Sequence, residues 1–258
     1  MNAALLARCE RRVFNRLELD NHASLFDRCL WPMVFSDSVR FEWRDHHAIE
    51  GSYRLAGEFL NLPDQPPELD FRPMHFDAAA ARMRVPSGFT LSPSRLVVHC
   101  GTRLASKAWP DERWVELLGQ LAPHFEQIFL SAGPFESEGQ LVRRLTALAP
   151  AKVFAPDGPL PWSQLAALLQ GARLFAGVDT AAMHLAAACH CPSLVIWGPV
   201  SAVIFGPRAA NSAIMIDDRI VRPPFGAGEA YDEARAASRN STATVLKAAG
   251  QLLSEQMP

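Results

Sequence analysis

The run Leu174-Phe-Ala-Gly-Val-Asp-Thr-Ala-Ala-Met-His-Leu-Ala-Ala-Ala-Cys189 constrains the fold more than any other part of the chain. It opens as an apolar strand, breaks at Gly177, presents Asp179 and Thr180, and turns at once into an alanine-rich helix. A strand that feeds directly into a helix N-terminus leaves several backbone N–H groups unpaired and aimed at one spot, with the positive end of the helix dipole behind them. α/β proteins hold phosphate at such turns.

Composition narrows the setting. The chain has 258 residues, 49% hydrophobic and 20% charged, enough for one large core or two modest ones. A net charge of −2 supplies no bulk attraction for nucleic acid. No apolar run approaches the ~20 residues needed to span a bilayer. Charges at Arg8, Glu10, Arg11 and Arg12 interrupt the N-terminus too early for a secretory signal. Five unevenly placed cysteines argue against a disulfide framework and for a reducing cytoplasm.

Residues 1–95 carry aromatics and charges without long periodicity. Short strands are expected at Cys29–Phe35 and Val39–Trp43, separated by Ser36-Asp37-Ser38. A helix is expected from Ala48 to Leu62, with Ile49, Tyr53, Leu55, Ala56, Phe59 and Leu60 on its apolar face. The proline-rich Leu62–Glu68 reads as an extended connector, and Pro86 to Ser94 as the domain boundary. Beyond it, short apolar strands alternate with amphipathic helices. Strands are expected at Arg95–His99, Gln127–Leu130, Val153–Phe154, Leu174–Gly177 and Leu194–Trp197. The helices fall after Pro110, from Glu136 to Leu148, from Pro161 until Gly171 closes it, and up to Ala188. A last helix is expected from Ser241 to Leu253. This alternation implies βαβ units and a doubly wound parallel sheet with ligands at the carboxyl ends of its strands.

Four clusters follow expected strands and therefore converge on one edge. In the first, Gly101, Thr102, Arg103 and Lys107 combine a close backbone approach, a hydroxyl and two cations; an unpaired cation there complements a departing diphosphate, the alternative being that Arg103 and Lys107 are solvated surface charges. In the second, Glu136 stands at a helix start, where a carboxylate accepts from ribose hydroxyls and where the dipole also favours an ordinary acid. The third joins Asp179, Thr180 and His184. Thr180 fits a plain N-cap, and His184 fits either a ligand contact or a space-filling role. Asp179 beside a phosphate site needs a partner: a hydroxyl, a cation or a loop amide. The fourth, Trp197-Gly-Pro199 with Phe205-Gly-Pro207, shapes the cleft wall. Cys189-His-Cys191 lacks the second half of a zinc site, so no metal is expected, and His46-His47 reads as surface. The absence of GxGxxG and P-loop lysine signatures argues against a dehydrogenase or an NTPase.

In order along the chain, Val98-His-Cys-Gly101, Lys107-Ala-Trp-Pro110, Ser131-Ala-Gly-Pro134, Val178–Ala188 and Trp197-Gly-Pro199 before Gly206-Pro207 resemble the C-terminal half of the bacterial heptosyltransferase family (glycosyltransferase family 9, GT-B fold). The resemblance implies a cytoplasmic, metal-independent transferase without a cofactor, in at most peripheral contact with the inner face of the inner membrane. It would move a heptose-like sugar from an ADP-linked donor to a lipopolysaccharide-core or other glycan acceptor. It places Lys107 on the donor phosphates with Thr102 beside it, Glu136 near the ribose and Leu160 near the base, and Arg103 of the same loop is counted with the donor-binding residues. Asp179, Thr180, Ala181 and His184 fall at the diphosphate, with Ala181 where the family usually has glycine.

The expected fold is α/β and GT-B-like: a reduced N-terminal α/β domain on the acceptor side (1–92) and a Rossmann-like nucleotide-sugar domain (93–238). A C-terminal helix (239–258) is expected to pack back towards the N-terminal part. Nothing before Leu96 matches the family's opening motif, so the N-terminal half reads as truncated or rebuilt, and no general base is selected among Asp20, Asp27 and Asp37. The alternatives are a catalytically degenerate nucleotide-sugar-binding protein and an unrelated sugar-nucleotide enzyme of similar shape, such as an epimerase.

Overall fold

The computed structural model describes residues 13–15, 37–39, 46–60, 62–63, 65–71, 90–148, 152–156 and 158–256. Contacts divide the chain into two units, Met1–Pro67 with Val203–Phe205, and Glu68–Ala202 with Gly206–Pro258.

In the smaller unit, β1 (Val13–Asn15) and β2 (Asp37–Val39) pair in parallel, and α1 (Ala48–Leu60) packs against both. The segment expected to separate two strands therefore supplies β2 itself, while 29–35 and 40–43 lie outside the described residues. Of the apolar face expected on α1, Ile49, Tyr53, Leu55 and Ala56 are half-buried and Leu60 is exposed.

The larger unit is built on one seven-stranded sheet in the order β5-β4-β3-β6-β7-β8-β9. Its strands are β3 (Arg95–His99), β4 (Gln127–Ser131), β5 (Val153–Phe154), β6 (Leu174–Val178), β7 (Ser193–Ile196), β8 (Ser212–Ile216) and β9 (Arg219–Val221). All pairings are parallel except β8 with β9. Its helices are α2 (Asp111–Leu121), α3 (Glu136–Leu148), α4 (Trp162–Leu169), α5 (Ala181–Ala188), the short α6 (Ala202–Phe205), whose last three residues fall in the smaller unit, and α7 (Thr242–Ser254).

The period of two along each strand sorts side chains onto two faces. On one face Leu96, Val98, Leu130, Ala176 and Ile196 pack with Leu117 and Leu118 of α2 and Val245 and Ala249 of α7. On the other, Val97, Phe129, Phe175, Val195 and Ile214 pack with Leu165, Leu168, Met183 and Ala186 of α4 and α5. Both faces are covered, as parallel strands with near-continuous apolar runs require.

Local chemistry sets the helix ends. Gly171 adopts φ 71° just after α4, the left-handed position that closes a helix without a Cβ penalty. The neighbouring Arg95 guanidinium, almost wholly buried, donates to Leu168 O (2.8 Å), Ser92 O (2.6 Å) and Gln170 O. It meets the negative end of α4 with a cation. Ser241 caps α7 by accepting from Thr244 N at 3.2 Å.

Three expectations change here. The division falls at Pro67/Glu68, not at 92/93, because the chain just past the prolines is already tied to α5: Phe71 N donates to Ala188 O at 2.9 Å and the Cys189 thiol to Phe71 O. The C-terminal helix, expected to pack back towards the N-terminal part, lies on α2 and the β7–β9 side of the large sheet, where its apolar stripe completes the first core face. The segment after Pro199, for which no element was expected, contains α6 and the β8–β9 hairpin. Asp217 (φ 48°) and Asp218 (φ 61°) form the hairpin's two-residue turn, whose positive φ at both positions matches the strand twist. Among the described residues no helix is long and apolar enough to cross a membrane.

Candidate functional site

β3 is flanked on one side by β4 and β5, and on the other by β6, β7 and β8. Chain direction therefore diverges between β3 and β6, and in an open parallel sheet the crevice beyond that point is where ligands bind. Lys107 follows β3, and Asp179 follows β6.

The two side chains meet. Lys107 Nζ lies 2.6 Å from Asp179 Oδ2, with the side chains 15% and 7% exposed. The contact is an ion pair without hydrogen-bond alignment, for Asp179 Oδ2 is fully buried and has no hydrogen-bond partner. The lysine expected to be an unpaired cation is thus paired, and Asp179 has found a cation among its three possible partners. Gly198 leaves the lysine stem room. A Cβ there would come within 3.1 Å of Ser106 O and 3.2 Å of Lys107 Cγ, so Trp197-Gly-Pro199 shapes the wall by letting the lysine stem pass.

Beside the pair begins α5. Thr180 occupies its N-cap position, yet its side chain makes no cap hydrogen bond; the hydroxyl turns back onto Val178 O at 3.4 Å. The N-cap explanation for Thr180 therefore fails, and the first turn keeps its N–H groups free of a side-chain cap. Ala181 is exposed at this turn, and His184 is half-buried one turn further on.

The remaining expected residues spread along the same edge. Thr102 Oγ1 accepts from Leu104 N at 3.3 Å, which folds the loop before Lys107, and Arg103 is exposed. Glu136 is exposed and paired with Arg143 at 2.5 Å; that guanidinium holds its carboxyl below the ordinary range. Both line a cavity of about 700 Å³ above the ends of β4 and β5, walled also by Phe135, Val142, Pro156 and Pro159. Leu160, next in sequence, is instead half-buried against the second core face.

Two residues that the sequence placed inside these clusters without a role of their own are Glu138 and His99. Glu138, only 6% exposed, accepts from Phe135 N at 3.1 Å, the reach-back half of a capping box. Its carboxylate fills the space between the Gly101 and Gly133 loops. The spacing Phe135-x-x-Glu138 before an apolar-periodic helix was the available signal. His99 ends β3 in register with Ser131 and Gly177. Ser131 Oγ donates to Val98 O and stands 3.0 Å from His99 Nδ1, which fits a neutral imidazole with the proton on Nδ1. Burial pushes its pKa down to about 4, so it is uncharged at neutral pH.

The cysteines flanking His190 are buried, with thiols directed at the carbonyls of Ala166 and Ala172. Among the described residues no group of three or more His, Cys, Asp or Glu side chains is arranged to hold a metal ion.

A doubly wound domain with a cation and a helix start at its switch point defines the class, an α/β protein of GT-B-like glycosyltransferase fold. The profile of glycosyltransferase family 9 (heptosyltransferase) matches residues 5–234, and the chain belongs to that family. Lipopolysaccharide heptosyltransferase 1 of Escherichia coli K12 is 36% identical over 121 residues, covering 45% of this chain and 35% of that protein. The enzyme of the same name from Pseudomonas aeruginosa is 27% identical over 179 residues, covering 69% of this chain and 45% of that one. A family 9 glycosyl transferase from Veillonella parvula superposes with a TM-score of 0.70 at 18% identity, over 88% of this chain and 66% of the other. The E. coli heptosyltransferase WaaC with ADP gives 0.63 at 21% identity, over 86% and 62%. These matches span 35% and 45% of the two curated relatives, less than half the length of each.

Proposed function

We propose that the protein is a glycosyltransferase that takes a heptose-like sugar from an ADP-linked donor and passes it to a lipopolysaccharide-core or other glycan acceptor. The observation that carries this reading is the convergence of Lys107 and the uncapped start of α5 at the sheet's switch point. A diphosphate placed there receives backbone N–H groups, the positive end of a helix and an ammonium together. As the bond from sugar to diphosphate breaks, negative charge grows on the leaving oxygen, and positive groups already in place stabilise it without reorganisation. Thr102 and Arg103 flank this position from the β3 loop, and His184 from α5.

The cavity above β4 and β5 lies about two strand spacings, or roughly 10 Å, along the edge. That is the reach of a nucleotide from its diphosphate to its base. The base enters between the prolines and Phe135, and the α3 carboxylates, Glu136 on the rim and Glu138 between the loops, flank the ribose. In this reading the nucleotide-sugar is a substrate and no cofactor or metal is called for. Transfer takes place in the cytoplasm, at the inner face of the inner membrane. The names of the relatives, lipopolysaccharide heptosyltransferases, and a family structure containing ADP support the choice of donor and acceptor class.

Titration calorimetry with ADP and ADP-sugars, followed by a transfer assay on a lipopolysaccharide-core acceptor, tests the proposal. Wild-type protein should bind ADP, and Lys107→Met should weaken binding by roughly a hundredfold, the loss of a charge-assisted phosphate contact. Unchanged affinity in Lys107→Met refutes the phosphate site. Binding without transfer identifies instead a nucleotide-sugar-binding protein.

A further inference from the structure

We infer that Asp179 is a built-in competitor for Lys107, a carboxylate that pairs with the lysine and thereby weakens binding of the nucleotide diphosphate. The inference rests on the donor-site reading above and assigns Asp179 a positioning role that acts through Lys107. Three observations carry it. First, Asp179 immediately precedes the turn that opens α5, so its negative charge stands beside a site whose backbone favours anions. Second, its Oδ2 is wholly buried, lacks a hydrogen-bond partner and lies 2.6 Å from Lys107 Nζ. A buried carboxylate oxygen with no other partner relies on that one ammonium contact for its compensation. Third, the bare backbone of Gly198 leaves the Lys107 stem room to reach this position, since a Cβ there would lie 3.2 Å from Lys107 Cγ.

A buried ion pair gains little overall, because desolvation offsets attraction, whereas losing one partner leaves the other charge uncompensated. An incoming diphosphate that shares Lys107 therefore weakens the pair and also meets the like charge of Asp179. Both effects lower affinity for any diphosphate, the spent nucleotide included. A donor recovers the difference through the contacts of its sugar, which the product lacks. The carboxylate thus favours release of the nucleoside diphosphate after each transfer.

The test is ADP titration calorimetry at fixed ionic strength on wild type, D179N, K107M and the double variant, with thermal melts of each. D179N should bind ADP about tenfold more tightly, the scale of one like charge removed from a largely buried site. Without ADP it should melt below wild type, since Lys107 loses its counter-ion, and its ADP-induced rise in melting temperature should exceed that of wild type. The gain in affinity from Asn should shrink in the K107M background. If D179N does not fold, D179S carries the same comparison. Folded D179N with unchanged or weaker ADP affinity overturns the inference, and so does an equal gain with and without Lys107. Wild-type protein that binds no ADP removes the donor-site reading itself, a separate and distinguishable failure.

Discussion

A Cβ built on Gly101 would lie 2.8 Å from Glu138 Oε1, and one built on Gly133 would lie 2.5 Å from Glu138 Oε2. One carboxylate, from the first turn of α3, thus occupies the room that two glycines in neighbouring loops leave open. The β3 loop that leads to Lys107 and the β4 loop that borders the cavity are held by the same side chain. Their spacing along the edge is therefore a property of Glu138 as much as of the strands beneath.

That wedge makes the three residues energetically dependent. Gly101→Ala in the wild type should cost about 1–3 kcal/mol, the range for overpacking a filled interior. In a Glu138→Ala background the carboxylate is gone and only the Cβ of residue 138, 3.0 Å from the new methyl group, remains, so the cost should fall by about 1 kcal/mol. Urea unfolding of the four proteins of this double-mutant cycle measures the coupling. Additive effects would mean that the β3 loop does not lean on the carboxylate.

His99 predicts how stability varies with acidity. Its folded pKa, about 4, lies below the ~6.5 of an unfolded histidine. Between these values the unfolded chain binds more protons than the native one, so stability falls as pH drops from about 6.5 to about 4. Above that window the residue is neutral in both states and adds no pH dependence. A displacement of this size corresponds to about 3 kcal/mol at the acid end. His99→Gln, which keeps an amide donor for Ser131, should flatten the decline across the window. Chemical denaturation at a series of pH values reads the difference between the two slopes.

Much of this arrangement was legible from local pattern. The strands at 95–99 and 153–154, the helices at 136–148 and 181–188, and the close at Gly171 all follow from period and end signals within a few residues. Lys107 and Asp179 stood out because each follows a strand. Their contact did not, since it depends on β3 and β6 becoming neighbours and on the clearance at Gly198. Glu136 and Glu138 are equivalent first-turn acids by sequence; only the apposition of two distant glycines decides which one is buried. Thr180 has the right side chain for a cap, but the turn directs its hydroxyl at Val178. The unit boundary was missed because Phe71 joins α5 through backbone groups, which composition does not mark.

Arg95 supplies a test of the scaffold below the site. It serves three carbonyls at once, two of them at the end of α4, and burial lowers its pKa. Arg95→Met retains much of the packing volume but leaves those acceptors without their donor. The expected loss is about 3 kcal/mol, from unsatisfied buried carbonyls and an unmatched helix end. Arg95→Lys should recover little, because a single ammonium does not reproduce the planar fork. Hydrogen exchange should then rise first in the last turn of α4, while α2, on the opposite face of the sheet, keeps its protection.

Asn240 ties the loop of Lys107 to the far side of the sheet. Fully buried, it donates through Nδ2 to Trp197 O and Ala237 O and accepts at Oδ1 from Asp218 N. Its backbone carbonyl accepts from Trp109 Nε1 at 2.8 Å and from Arg113 at 2.7 Å. Through these bonds the segment after Lys107, the residue before Gly198 and the β8–β9 turn share one anchor. Asn240→Ala removes the amide bonds and keeps the carbonyl, so the fold should survive with a loss of about 2 kcal/mol. Asn240→Asp should be worse, since a carboxylate cannot donate to Trp197 O and brings an unpaired charge into a dry position. If the anchor also fixes the approach of Lys107 past Gly198, Asn240→Ala should weaken ADP binding several-fold while melting as a single cooperative transition. Unchanged ADP affinity in a destabilised Asn240→Ala protein would confine the residue to stability and leave Lys107 positioned by Gly198 and Asp179 alone.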